Sequence, residues 1–154
     1  MKTQDQEKSA QRRGTATGTA PGSSDGALVE RWRSLLSCYS GIALALDREL
    51  HAEHGITMSD FEVLDRLAEN SHPSGMEGCT EAGMRIQEIG EHIHLSQSAL
   101  SRTVARLEKS GLVERVLCEF DRRGVFVALT KNGRACHTAA ARTRLEVLRE
   151  HLAG

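Results

Sequence analysis

Aromatic residues are scarce: one Trp, one Tyr and three Phe among 154 residues. Stacking platforms that bind single-stranded nucleic acid ring by ring need more than that. Basic charge is not in excess either, with 20 Lys and Arg against 21 Asp and Glu and a formal charge of −1. That balance excludes a histone-like protein held to nucleic acid by bulk positive charge. Only four of the basic residues are lysine. No run approaches the roughly 18 apolar residues of a membrane span. Residues 1–26, MKTQDQEKSAQRRGTATGTAPGSSDG, contain no apolar h-region, so no secretory signal is expected and the expected location is cytoplasmic. Cys38, Cys79, Cys118 and Cys136 are scattered without a C-x-x-C pair. A zinc ribbon or disulfide framework needs close pairs, so reduced and mostly buried thiols are expected. There is no phosphate-binding glycine loop, no nucleophile elbow and no H-E-x-x-H. The chain is therefore not read as an enzyme, and no cofactor or metal is expected.

What is present is mostly helical periodicity. Residues 1–26 are Ser, Thr, Gly, Ala, Gln and charge, a composition that predicts a disordered arm. From Leu28 the apolar residues Trp32, Leu35, Leu36, Tyr39, Ile42, Leu46 and Leu50 recur at three- and four-residue steps. They predict a helix over 27–54, stopped at Gly55. A helix this long usually packs on something outside its own domain. Thr57 or Ser59 caps a second helix, with Asp60 or Glu62 three residues on and Phe61, Leu64 and Leu67 facing inward. Residues 71–84 read as a loop. Ile86, Ile89 and Ile93 mark a short third helix over 87–92. Ser96 caps a fourth, with Leu100, Val104 and Leu107 inward and Gly111 ending it. Two β-branched runs, 112–117 and 125–129, flank a charged tip and predict a hairpin. Thr130 caps a last helix, on which Ala141, Leu145, Leu148 and Leu152 form a heptad-like seam.

Helix, turn, helix and hairpin in this order make a winged helix-turn-helix. The fold class is mainly α with a small β-hairpin wing. The outer side of the fourth helix carries Gln97, Ser98, Ser101, Arg102, Ala105 and Arg106, with no acid from Gln97 to Arg106. Small hydroxyls and Ala let a helix approach base edges closely. Arg pairs bidentately with guanine and Gln with adenine, and Ala touches a thymine methyl. Ser96, at the helix N-terminus, is placed to hold a phosphate with the free backbone N–H groups. The hairpin tip is Asp121-Arg122-Arg123-Gly124. An Arg there suits a narrow minor groove, with Asp121 holding the Arg extended by a charge-assisted hydrogen bond. The bland alternatives are a solvated helix face and a hairpin tip with a surface ion pair. Charge divides along the chain: residues 85–134 carry nine basic and six acidic residues, while residues 30–84 carry four basic and ten acidic. The net of +3 falls on the reading lobe and −6 on the preceding helices.

From about Trp32 to Arg134 the sequence resembles the multiple-antibiotic-resistance (MarR) family of bacterial transcription regulators. The stretches GITMSDFEVLDRLAE, IQEIGEHIHLSQSALSRTVARLEKSGLVER and DRRGVFVALTKNGR carry the resemblance. It implies a homodimer with interlocking N- and C-terminal helices, 27–54 and 131–154, around a DNA-binding lobe at 57–130. It implies double-stranded DNA as partner, a pseudo-palindromic operator, major-groove contact through Ser96, Gln97, Ser98, Ser101, Arg102 and Arg106, and minor-groove contact through Asp121 with Arg122 or Arg123. A repressor is expected over an activator, because occupying a promoter suffices to exclude polymerase. Two departures stand out: the 71–84 loop is long for the family, and the chain ends about 20 residues after Gly133 where the family continues.

The resemblance also implies release by a small lipophilic effector, and Trp32, Leu36 and Tyr39 are the candidate pocket residues. Plain core is the competing reading of the three. Two other switches are weighed. Cys38 on the first helix is a candidate redox thiol, but no basic residue stands within a turn of it to lower its pKa. His51 with His54, joined through the fold by Cys38, Glu53, Cys136 and His137, or His92 with His94, could bind zinc. Two His three apart are a weak signal for a site that wants three or four ligands. A degenerate winged helix used for protein contacts is the remaining alternative, against which the acid-free face argues.

Overall fold

The computed structural model of the protein describes residues 24–70, 83–117 and 125–153. The chain divides into two compact units, residues 1–36 and residues 37–154. Helix α1 (Ser24–His54) runs through both. Within the smaller unit, α1 begins three residues before the apolar spacing marks it, at Ser24. Asp25 lies in its first turn, where a carboxylate complements the helix dipole. There Leu28, Val29, Trp32, Leu35 and Leu36 are all exposed. The expected arm up to residue 23 lies outside the described residues.

The larger unit contains the rest of α1, then α2 (Met58–Glu69), β1 (Met84–Arg85), α3 (Ile86–His92), α4 (Gln97–Lys109), β2 (Val113–Leu117), β3 (Val125–Leu129) and α5 (Lys131–Leu152). Local chemistry sets most of these boundaries. Gly55 and Gly111 sit at φ 68° and 70°, the left-handed conformation that ends α1 and α4. Thr57, not Ser59, caps α2: its Oγ1 accepts from Asp60 N at 3.2 Å, and its N–H donates to Asp60 Oδ2 at 2.9 Å. Met58 N–H also donates to Asp47 Oδ1 at 2.8 Å, so α1 supplies a second cap to α2. Ser96 and Thr130 cap α4 and α5 through Ala99 N and Gly133 N.

The sheet is antiparallel in the order β1-β3-β2. Val113 pairs with Leu129 and Leu117 with Val125, which gives the hairpin its register. Strand β1 corrects the expected loop over 71–84, whose residues 71–82 lie outside the described residues. Met84 pairs with Val127 and Arg85 with Phe126. Two residues show no alternation that a sequence reading can detect, and β1 exists only because β3 has an open edge. Gly83 permits the approach, since a Cβ there would come within 2.9 Å of the Val127 carbonyl.

The core gathers Leu46 and Leu50 of α1, Phe61, Val63, Leu64 and Leu67 of α2, Ile89 of α3, Leu100, Val104 and Leu107 of α4, and Val113, Val127 and Leu129 of the sheet. Each fully buried side chain of this size contributes about 1.5–3 kcal/mol through loss of apolar surface to water. Helix α5 is rotated relative to its apolar seam: it buries Gly133, Ala140, Thr143 and Val147. Leu145 and Leu152 are exposed. The rotation has a steric cause. Gly133 abuts the Leu112 backbone carbonyl so closely that a Cβ has no room, and Thr130 N–H donates to the same carbonyl at 3.1 Å. Among the described residues no helix is long and apolar enough to cross a membrane.

Polar groups complete the seat of α5. Asp65 of α2 accepts from His137 Nε2 at 2.7 Å and from Arg144 Nη1 at 2.5 Å. The His137 ring stacks on Phe61 with centroids 5.7 Å apart, and the Arg144 guanidinium lies 4.8 Å from the same ring. Burial pushes the Asp65 carboxyl up, but the hydrogen bonds and charges of His137 and Arg144 outweigh it and hold the group below the ordinary carboxylate range. A depressed carboxyl contributes stability above its unfolded value, about 3.9, and loses it as pH falls through the folded value. Asp65→Asn is expected to lower the urea midpoint at neutral pH, with the gap to wild type closing below about pH 4. A gap that stays constant from neutral to strongly acid pH would show that Asp65 contributes no charge-dependent stability.

Candidate nucleic-acid interface

Helix α4 presents two different sides. Leu100, Thr103, Val104 and Leu107 are buried, Thr103 joining the apolar stripe expected from the sequence. On the other side Gln97, Ser98, Ser101, Arg102 and Ala105 are exposed. The N-terminal half of α4 is seated on α3. Gly90 makes this close packing possible, since a Cβ there would stand 3.3 Å from Leu100 Cδ2. At the N-terminus the Ser96 hydroxyl accepts from Ala99 N–H at 3.2 Å and lies 3.3 Å from the Ser98 hydroxyl. First-turn N–H groups of a helix carry the positive end of its dipole, which favours an anion here. Among the described residues Arg102 has no ionic partner.

Arg106 is placed differently from the other expected contacts. Its guanidinium turns toward the N-terminus of α2 and forks on Asp60, with Nη2 2.6 Å and Nε 3.1 Å from Oδ1. Nη2 also reaches Thr57 Oγ1 at 3.4 Å. The Arg106 side chain is 50% exposed and that of Asp60 only 5%. The sequence reading found Asp60 as a capping residue and missed this second role. The only local signal was an acid at the third position of α2, and its partner is 46 residues away.

The hairpin rises beside α4, and Arg115 Nε bonds Glu108 Oε2 at 3.0 Å. Both side chains are exposed, so the pair adds little stability. The tip with Asp121, Arg122 and Arg123 lies outside the described residues, as do Cys79 and Cys118.

The candidate switch residues are scattered. Trp32 and Leu36 are exposed on the smaller unit, and Tyr39 is exposed on the larger. Cys38 is an exposed free thiol, while the Cys136 thiol is pushed up by burial and by the charge of Asp60, which disfavours the thiolate. His51 is exposed, whereas His54 Nε2 bonds Thr143 Oγ1 at 2.8 Å and Thr143 donates to Glu53 at 2.6 Å. His92 and His94 line a shallow groove with Glu62, Asp65, Arg66, Glu69 and Arg144. The Glu62 carboxyl is pushed up by burial, with His94 opposing and Asp65 adding. Among the described residues no three His, Cys, Asp or Glu side chains are arranged to hold a metal ion.

Comparison with known proteins matches this arrangement. Residues 54–124 match the family described as the MarR family. The HTH-type transcriptional regulator TtmR of Methylorubrum extorquens (strain PA1) is 34% identical over 87 residues, 56% of this chain and 39% of that protein. The matched part thus spans about two-fifths of that relative's length. AbsC, a MarR family transcriptional regulator from Streptomyces coelicolor, is 29% identical over 88% of this chain and 83% of its own, with a TM-score of 0.68. A second MarR family regulator from the same organism, solved in complex with DNA, is 29% identical over 88% of this chain and 78% of its own, with a TM-score of 0.69. Helices α2, α3 and α4 and strand β2 all fall within the matched residues 54–124, and the winged helix-turn-helix of this chain is similar in sequence and fold to MarR family transcriptional regulators.

Proposed function

We propose that this chain is a homodimeric transcriptional repressor that reads a pseudo-palindromic duplex. Helix α4 enters the major groove and the 119–124 hairpin tip the flanking minor groove. The observation that carries this reading is the exposed, acid-free side of α4, with Gln97, Ser98, Ser101 and Arg102 along it. Gln and Arg supply bidentate base recognition, and the small residues between them allow the close approach that recognition needs. Arg122 and Arg123, steadied by Asp121, supply the minor-groove charge. Repression follows from occupancy of a promoter alone.

The dimer reading is supported by apolar surface in each unit. In the smaller unit Leu28 is 61%, Trp32 62% and Leu35 59% exposed, an apolar helix face that a second copy would cover. In the larger unit the exposed Leu145 and Leu152 lie on the outward seam of α5. A two-fold pair of α4 helices would read half-sites about one helical turn apart.

Selection of bound duplexes from random DNA is expected to return a two-fold motif. Arg102→Ala is expected to relax preference at particular base pairs, losing about 1–3 kcal/mol at a read position. Replacing Arg122 and Arg123 together by Ala is expected to weaken binding across many sequences and flatten its salt dependence. A double wing variant that binds like wild type at moderate salt refutes minor-groove contact. Light scattering is expected to give twice the chain mass, and a stable monomer at micromolar concentration refutes the two-half-site arrangement.

A further inference from the structure

The reading side of α4 is built from small side chains. Ser98, Ser101 and Ala105 have little reach, so the helix backbone itself must lie close to the base edges. Such a reader cannot absorb a tilt or rotation by re-extending its side chains. Its pose has to be set from behind. The N-terminal half is set by α3, where Gly90 admits Leu100. The C-terminal half has a polar fastening, the fork of Arg106 on Asp60.

We infer that Arg106 is a positioning residue and not a DNA contact: clamped by the buried Asp60, it fixes the rotation of α4 and thereby selects which bases Gln97 and Arg102 reach. This rests on the DNA-reading function proposed above and names what holds that reader in place. The geometry behind it is the immobility of the carboxylate. Asp60 is 3% exposed. Its Oδ2 accepts from both the backbone N–H and the hydroxyl of Thr57, each at 2.9 Å. The N-terminus of α2 therefore fixes the plane of the carboxylate, and the carboxylate fixes the plane of the guanidinium. Nη2 meets Oδ1 at 2.6 Å while Nε spans both oxygens at 3.1 and 3.3 Å. Leaving this site for a phosphate would strand a buried carboxylate with half its partners gone, which is strongly unfavourable. Arg102 lies one turn earlier on α4 with no ionic partner among the described residues, so it reaches DNA without that penalty.

The test uses the full chain and four variants: Arg106→Gln, Arg106→Lys, Asp60→Asn, and Asp60→Asn combined with Arg106→Gln. Affinity is measured over a range of salt on the duplex recovered by selection and on a scrambled duplex. Both Arg106 variants are expected to lose about tenfold or more on the selected duplex, the scale of one lost base-pair preference, with little change on the scrambled one. Lysine fails as glutamine does because a point charge cannot fork on a carboxylate. The double variant is expected to be no worse than its worse parent, since both changes break one interaction. If Arg106→Lys binds like wild type, or Arg106→Gln lowers the salt slope by about one, Arg106 is a phosphate contact and the inference is overturned. Asp60→Asn removes a negative charge, so tighter binding to both duplexes also overturns it, whereas loss confined to the selected duplex supports it. Where Asp60→Asn does not fold, the two Arg106 variants decide. Hydrogen exchange of the free protein separates the clamp from the DNA reading. Faster exchange in α4 of both Arg106 variants, with α5 unchanged, supports the clamp, and unchanged α4 overturns it. A wild type that prefers no duplex refutes the DNA reading, while the exchange measurement still judges the clamp.

Discussion

An ionised carboxylate taken out of water loses hydration that other groups must replace, and Asp60 is placed where water does not reach it. It stands at the third position of α2, facing α4, and is held by Thr57 on its own turn and by Arg106 across the interface. The angle at which α4 crosses α2 has to satisfy that carboxylate as well as the apolar stripe beneath it. A purely apolar contact tolerates sliding at small loss, because burial is non-directional. A bidentate guanidinium–carboxylate pair does not, because both bonds depend on one shared plane.

Helix α2 is the element on which the larger unit is assembled. One side carries Phe61, Leu64 and Leu67 into the core, and the carboxylates of Asp60 and Asp65 leave it in different directions. Asp60 ties it to α4, and Asp65 ties it to α5 through His137 and Arg144. Phe61 contributes to the second tie as well as to the core, with His137 stacked on its ring and Arg144 above it. One short helix thus holds both α4 and the C-terminal helix α5. Both ties are made by acids within the segment that composition alone marks as an acidic lobe. The negative charge that seemed to oppose a nucleic-acid partner is partly spent inside the protein, against Arg106 of the basic lobe and Arg144 of the last helix.

Much of the fold was legible because its signals are local. Thr57, Ser96 and Thr130 begin helices through hydrogen bonds spanning three residues, and Gly55 and Gly111 end them through their own φ. The hairpin was legible from two β-branched runs, and the polar side of α4 from its 3.6-residue period. Strand β1 was not legible, since its two residues have no pattern apart from the edge they join. The face that α5 turns to its own core was not legible, because the large residues Leu145, Leu148 and Leu152 dominate the periodicity. Instead the smaller Gly133, Ala140 and Thr143 face inward, Gly133 because no space for a Cβ remains beside the Leu112 carbonyl.

By itself the sequence determined the helices, the hairpin, most of their ends and the order of helix, turn, helix and hairpin, because those depend on residues close together in the chain. It also determined that Gln97, Ser98, Ser101 and Arg102 share a side of α4, which is a matter of helical pitch alone. Only the tertiary structure decided that Arg106, on the flank of that same side, turns back to Asp60, that Asp65 joins α2 to α5, and that the leucines of the first helix up to Leu36 stay on the surface. Those outcomes depend on pairs of groups 46 or 79 residues apart, or on what a helix face fails to meet. No local spacing encodes them. The two ion pairs follow from the requirement that a carboxylate drawn out of water find a partner once the chain has closed around it.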